Sequence, residues 1–216
     1  VDLSFAPVLD LARGRSQIIG DRAFAADGET AAARALAFAD GMRAAGMASC
    51  GKHFPGHGYA RADSHKTLPA DGRAFQDIAA SDLIPFARWA AQNMPALMTA
   101  HIVYSACDKT AATFSPFWLK EILRKKLGFR GMAVSDDLCM AGADIGGMGE
   151  RIAAALRAGN DGALICLPEG VEEAIAAVKS AGAKNPWLAL SPAAENKICA
   201  GDAEYKKARK RLEEFC

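Results

Sequence analysis

Met132-Ala133-Val134-Ser135-Asp136-Asp137-Leu138 is a short apolar run that drives straight into two adjacent acids. Its apolar residues are consecutive rather than alternating, so both faces are expected to be covered, as in a parallel strand packed between other layers. The same pattern, an apolar run closed by polar residues or glycine, recurs at Leu3 to Leu9, Ala48 to His53, Ala96 to Tyr104 and Ala163 to Leu167, and more weakly at Trp187 to Leu190. Between these runs lie segments of helical period: Glu29 to Ala45, Gln76 to Gln92, Pro116 to Leu127, Gly149 to Ala158, Gly170 to Ala181 and Ala203 to Phe215. Ser115-Pro116 opens one of them, and Gly128 and Gly159 close two. Strand and helix in alternation predict βα units around a parallel sheet, hence an α/β fold.

No linker rich in proline, glycine or serine divides the 216 residues, and no short repeat runs through them, so one domain or one piece of a domain is expected. Lys plus Arg number 26 against 25 Asp plus Glu, a net charge of +1 that gathers neither nucleic acid nor anionic lipid. A small neutral or weakly charged ligand fits better. Apolar runs such as Gly162 to Pro168 fall far short of the roughly 20 residues that cross a bilayer. The six cysteines are dispersed, with no Cys-x-x-Cys pair, and point to a reducing compartment. The start, Val1-Asp2-Leu3-Ser4-Phe5, has no initiator methionine and no secretory signal, and suggests a chain shortened at its beginning.

Chemistry-bearing residues gather where the strands end. Asp10 follows the first, Lys52-His53 closes the second, His101 lies in the third and Asp136-Asp137 closes the fourth. Parallel α/β folds place their ligand sites at those carboxyl ends, because the loops there converge on one face. The densest constellation is Gly51-Lys52-His53-Phe54-Pro55-Gly56-His57-Gly58, followed by Asp63-Ser64-His65. It reads as a strand end and a flexible loop. His65 on such a loop suits proton transfer near neutrality, and Asp63, two residues earlier, can fix its tautomer and raise its basicity; the competing reading is a solvated loop pair. His53 and His57 stand on either side of a Pro-Gly turn, which does not reproduce the helical ligand pair of a zinc protease, and no metal is expected. His57 and His101 are expected to tie loops to the rim by hydrogen bonds.

Neighbouring side chains on a strand point to opposite faces, so Asp136 and Asp137 cannot share one task. One should face the pocket and the other a structural partner. A carboxylate kept ionised on a rigid strand end can attack a sugar carbon. Asp137 has the alternative of capping the following loop. Arg22 and Lys52 are the cations placed to bond hydroxyl groups, Arg through a fork and Lys as a point charge.

Three segments in this order, Asp2-Leu3-Ser4-Phe5-Ala6-Pro7-Val8-Leu9-Asp10, Lys52 to Gly58 with Asp63-Ser64-His65, and Ser135-Asp136-Asp137-Leu138-Cys139-Met140, resemble the bacterial NagZ-type β-N-acetylhexosaminidases of glycoside hydrolase family 3. The resemblance spans nearly the whole chain. It implies a (β/α)8 barrel and a retaining double displacement, with Asp136 as nucleophile, His65 as acid/base, Asp63 as its partner, and Arg22, Lys52 and His53 holding the terminal N-acetylglucosamine. It implies removal of that sugar from muropeptides carrying 1,6-anhydro-N-acetylmuramic acid, in the cytoplasm, during cell-wall recycling, without metal or organic cofactor. It also implies that the barrel's first two βα units lie upstream of Val1. A complete barrel takes roughly 250 residues, so about six units are expected here, an incomplete barrel with feeble turnover. A family 3 β-glucosidase or phosphorylase, and a sugar-binding fragment without catalysis, are the rival readings. Oligomeric state is not legible.

Overall fold

A computed structural model of the chain describes residues 1–16, 18–64 and 66–180, together with helical backbone at Ala203, Lys206, Lys207 and Lys210. The expected strand Trp187 to Leu190 and, those four positions aside, the expected helix Ala203 to Phe215 lie outside the described residues. In chain order the strands are β1 (Leu3–Ser4), β2 (Ala48–Phe54), β3 (Ala70–Asp71), β4 (Ala96–Thr99), β5 (Val103–Tyr104), β6 (Met132–Asp137) and β7 (Gly162–Leu164). The helices are α1 (Gly28–Ala44), α2 (Phe75–Ala79), α3 (Leu83–Ala91), a π-helix (Phe117–Lys126), α4 (Met148–Ala158) and α5 (Val171–Ser180).

Five strands form one sheet in the order β1-β2-β4-β6-β7, every pair parallel. Each new strand is laid beside the last, with a helical crossover between, which is how the wall of a (β/α)8 barrel is built. The fold is thus α/β, an incomplete barrel of this type, with five strands of wall among the described residues. β2, β4 and β6 are buried over most of their length, as consecutive apolar residues require. Leu97, Phe54, Phe86, Trp89, Trp118 and Leu119 fill the space between sheet and helices. Cys50, Met98 and Val134 pack on the inner face. The Trp89 indole N–H donates to the Ala96 carbonyl at 2.9 Å, whereas the indole N–H of Trp118, equally large and buried in the same core, has no partner among the described residues. Among the described residues no helix is long and apolar enough to cross a membrane.

Five elements differ from the sequence expectation: the strand expected over Ala163 to Leu167 runs from Gly162 to Leu164, and of the other four differences three trace to proline or to turns. The first strand ends at Ser4 rather than Leu9 because Pro7 has no N–H to give the ladder. The segment still runs along β2 by other bonds: Cys50 N–H to Ala6 O (2.8 Å), Lys52 N–H to Pro7 O (3.2 Å) and Leu9 N–H to Lys52 O (2.6 Å). The helix expected over Gln76 to Gln92 is two helices. In one continuous helix the Pro85 ring would collide with the carbonyl of Ser81, so a new helix starts and Pro85 falls in its first turn. The strand expected over Ala96 to Tyr104 ends at Thr99. After a turn through His101, the chain pairs β5 with β3 in a separate two-stranded sheet. The segment after Ser115-Pro116 winds as a π-helix, its start held by the Ser115 hydroxyl accepting the Trp118 N–H at 3.1 Å.

Candidate active site

The carboxyl ends of β1, β2, β4 and β6 bring Asp10, Lys52, His53, His57, His101 and Asp136 to one rim of the sheet. Asp10 is the hub. Its buried carboxylate accepts the His53 ring Nδ1–H at 2.7 Å, the His53 backbone N–H at 3.2 Å and the His57 backbone N–H at 2.6 Å. β2 carries an irregular register between Lys52 and Phe54, which turns His53 out of the regular ladder and toward this acid. Because Nδ1–H donates to Asp10, the other nitrogen, Nε2, is the free face of the ring. That face lies 3.9 Å from Oδ2 of Asp136.

Asp136 and Asp137 divide their tasks as strand geometry demands. Asp137 Oδ1 accepts the backbone N–H groups of Cys139 and Cys166, each at 3.0 Å, and so ties the exit of β6 to that of β7. Asp136 turns the opposite way, to the histidine cluster, with 18 % of its side chain exposed. Burial raises its pKa, but His53, His101, the Asp137 N–H and Lys52 outweigh that effect and hold it below the ordinary carboxylate value. The result is an ionised oxygen that a ligand can still reach.

Lys52 is half-buried, and desolvation lowers its pKa, reinforced by the charge of Arg22 and opposed by Asp136. Arg22 is exposed, with its guanidinium forked onto the Ile18 carbonyl at 2.8 and 3.0 Å. The cation is therefore near the rim but turned to its own loop. His57 and His101 are buried, and burial lowers both pKa values, which favours neutral rings. Both tie loops to the rim: His57 Nε2 to the Ser64 hydroxyl at 3.1 Å, and His101 Nε2–H to the Asp137 carbonyl at 3.0 Å, with Phe114 stacked on the His101 ring. Asp63 lies at the turn that follows, its carbonyl accepting the N–H groups of Lys66 and Thr67. His65 lies outside the described residues. Among the described residues no group of three or more His, Cys, Asp or Glu side chains could hold a metal ion.

Two features went unread in the sequence. Asp10 stands at a strand end without a role that the sequence assigns; its signal is an acid directly after an apolar run, where buried donors need an acceptor. The other is an ion cluster under the loop after β2. Asp82 bonds Arg13 and Arg73, both at 2.7 Å, Arg73 also bonds Asp71 at 2.7 Å, and Arg15 and Arg73 each lie 4.0 Å from the Tyr59 ring on cation–π contacts. Nothing in the spacing of these residues announces it.

The match to the Glycosyl hydrolase family 3 N terminal domain covers residues 1–188. The chain belongs to this family. It is 56% identical over 167 residues to a beta-hexosaminidase of Pseudomonas aeruginosa, and 53% identical over 178 residues to one of Thiobacillus denitrificans, covering 77% and 82% of this chain. It spans about half the length of these family 3 relatives, 50% in each case. Among solved structures it is similar to NagZ from Neisseria gonorrhoeae in complex with N-trifluoroacetyl-D-glucosamine, with a TM-score of 0.86 and 37% identity, over 98% of this chain and 63% of that one. The family 3 barrel is therefore the architecture to which the five-stranded wall belongs.

Proposed function

We propose that this chain carries the catalytic face of a retaining exo-β-N-acetylglucosaminidase. The observation that supports it best is Asp136: a carboxylate at a rigid strand end, favoured in its ionised form and open to a ligand, beside a histidine oriented by a buried acid. The relatives' names, and the N-acetylglucosamine derivative bound by the NagZ structure, support the sugar.

In this reading an Asp136 oxygen attacks the anomeric carbon as the glycosidic C–O bond breaks, and the leaving oxygen takes a proton from His65, with Asp63 as its partner. Water then gives its proton back to His65 and attacks the same carbon, releasing Asp136 and the sugar with retained configuration. A histidine in the second role places no second carboxylate next to Asp136, and so does not raise the nucleophile's pKa. Lys52, His53 and Arg22 bond the hydroxyl groups of the terminal N-acetylglucosamine. The substrate class is the N-acetylglucosamine-capped, 1,6-anhydro-N-acetylmuramic acid muropeptide of peptidoglycan recycling, in the cytoplasm. No cofactor takes part.

Trapping tests the reading. An activated, ring-fluorinated N-acetylglucosamine analogue should leave a covalent label that peptide mapping finds on Asp136; a label on any other residue overturns the assignment. p-Nitrophenyl N-acetylglucosaminide should be cleaved in preference to the glucoside, with or without phosphate. Preference for the glucoside, or phosphorolysis outrunning hydrolysis, overturns the substrate or the reaction.

A further inference from the structure

Ser64 stands immediately before the proposed acid/base and is held from two sides. Its hydroxyl meets Nε2 of His57 at 3.1 Å, and its carbonyl accepts the Gly142 N–H at 2.9 Å. Ser64 is buried, 2 % exposed, although Arg61 three residues before it and Lys66 two residues after it are exposed. His57 is itself fixed, by its backbone N–H on Asp10, and Gly142 lies six residues beyond Asp136. A Cβ on Gly142 would stand 3.0 Å from both the Ser64 carbonyl oxygen and the His101 Cβ, so the close approach uses the space glycine leaves. The turn is thereby tied at one residue to the exits of both β2 and β6.

We propose that His57 and Ser64 are positioning residues: their hydrogen bond holds the residue that directly precedes the proposed acid/base, and so aligns proton transfer with attack. The proposal rests on the reading of His65 as acid/base. His57 Nδ1 is buried with no hydrogen-bond partner among the described residues. The tautomer that suits this surrounding keeps the proton on Nε2, donates it to the Ser64 hydroxyl and leaves only a lone pair unmet. A mere loop tie would serve stability. A positioning bond acts in addition on the proton-transfer step, because reacting groups misplaced by about 1 Å lose rate without losing ground-state binding.

The test compares Ser64→Ala, His57→Leu and His57→Gln, since a glutamine amide places an N–H near the position of Nε2. Two readouts are needed. Trypsin acting on the native protein reports the turn directly at Arg61 and Lys66. Ser64→Ala and His57→Leu should raise cleavage there about fivefold, the equilibrium effect of losing one ordinary hydrogen bond, with cleavage elsewhere unchanged, and His57→Gln should restore the original rate. In turnover, Ser64→Ala should lower kcat for alkyl N-acetylglucosaminides at unchanged KM and spare the dinitrophenyl glycoside, whose leaving group needs no proton. Unchanged cleavage in Ser64→Ala, or equal behaviour of His57→Gln and His57→Leu, overturns the proposal, as does a kcat loss of equal size on both substrates. His65→Ala separates the two readings: if its losses do not depend on the leaving group, the acid/base assignment falls while the trypsin result still judges the hold of the His57–Ser64 bond on the turn.

Discussion

Asp10 holds His53 by two points at once, the ring Nδ1–H at 2.7 Å and the backbone N–H at 3.2 Å. A ring fixed at both its tip and its root has one orientation, and that orientation delivers Nε2 to 3.9 Å from Asp136. The hub of the rim is therefore an acid on the first strand segment, and the groups it organises lie more than forty residues away.

Replacing Asp10 by Asn keeps the side chain's shape but removes the charge and turns one acceptor into a donor facing the His53 and His57 N–H groups. At least one buried N–H then loses its partner. Urea unfolding should show a loss of about 2–4 kcal/mol, in the range for a charged acceptor removed from buried donors. A loss below about 0.5 kcal/mol would show that water replaces the carboxylate and that the hub is dispensable.

Asp136→Asn should abolish turnover and leave sugar binding within a few fold, since the amide keeps volume and polarity but cannot form the glycosyl ester. The pH dependence has a definite sign. The folded pKa of Asp136 is lowered, so its ionised form persists to lower pH than in the unfolded chain, and any acid limb of kcat/KM due to this group lies below the ordinary carboxylate range. A limb near pH 6 that survives in Asp63→Asn would assign it to a different group.

The sheet was legible because burial on both faces leaves consecutive apolar residues, a signal local to each strand; Met132 to Asp137 and Ala48 to Phe54 could be read almost to the residue. Asp136 and Lys52-His53 were visible for a related reason, since an acid or a base closing such a run has to face something. What escaped was what two distant segments do together. Asp82 bonds Arg13 across 69 residues, and His53 bonds Asp10 across 43. Pro85 was legible in principle, because a proline inside a helical period forces a restart, and the period alone concealed it.

His57 and His101 give the fold a pH dependence near neutrality. Burial, the largest cause for each, lowers both pKa values in the folded chain. Between the unfolded value of about 6.5 and the lower folded values, the unfolded state binds more protons, so stability is complete above about pH 6.5 and falls as the pH drops. Each group contributes up to about 1.4 kcal/mol per pH unit in that window. Urea midpoints at pH 7.5 and pH 5.5 should differ clearly in the wild-type protein and less in the double variant His57→Gln, His101→Gln. An undiminished difference would place the proton uptake on other groups.

Gly58 lies where two rim segments nearly touch. A Cβ built on it would stand 2.2 Å from the Leu11 carbonyl oxygen and 3.1 Å from the Leu11 N, and both are backbone atoms that no rotamer change can move aside. Leu11 follows Asp10 directly, and Gly58 follows His57, so any separation of the two segments pulls on the 2.6 Å bond between them. Gly58→Ala should therefore cost about 2–3 kcal/mol of stability, the scale of an overpacked site, and should also raise trypsin cleavage at Arg61. Gly41 on the helix α1 has open space around its Cβ position, so Gly41→Ala should instead stabilise by a few tenths to about 1 kcal/mol. If both variants melt together, the close approach of Gly58 to Leu11 does not hold the rim.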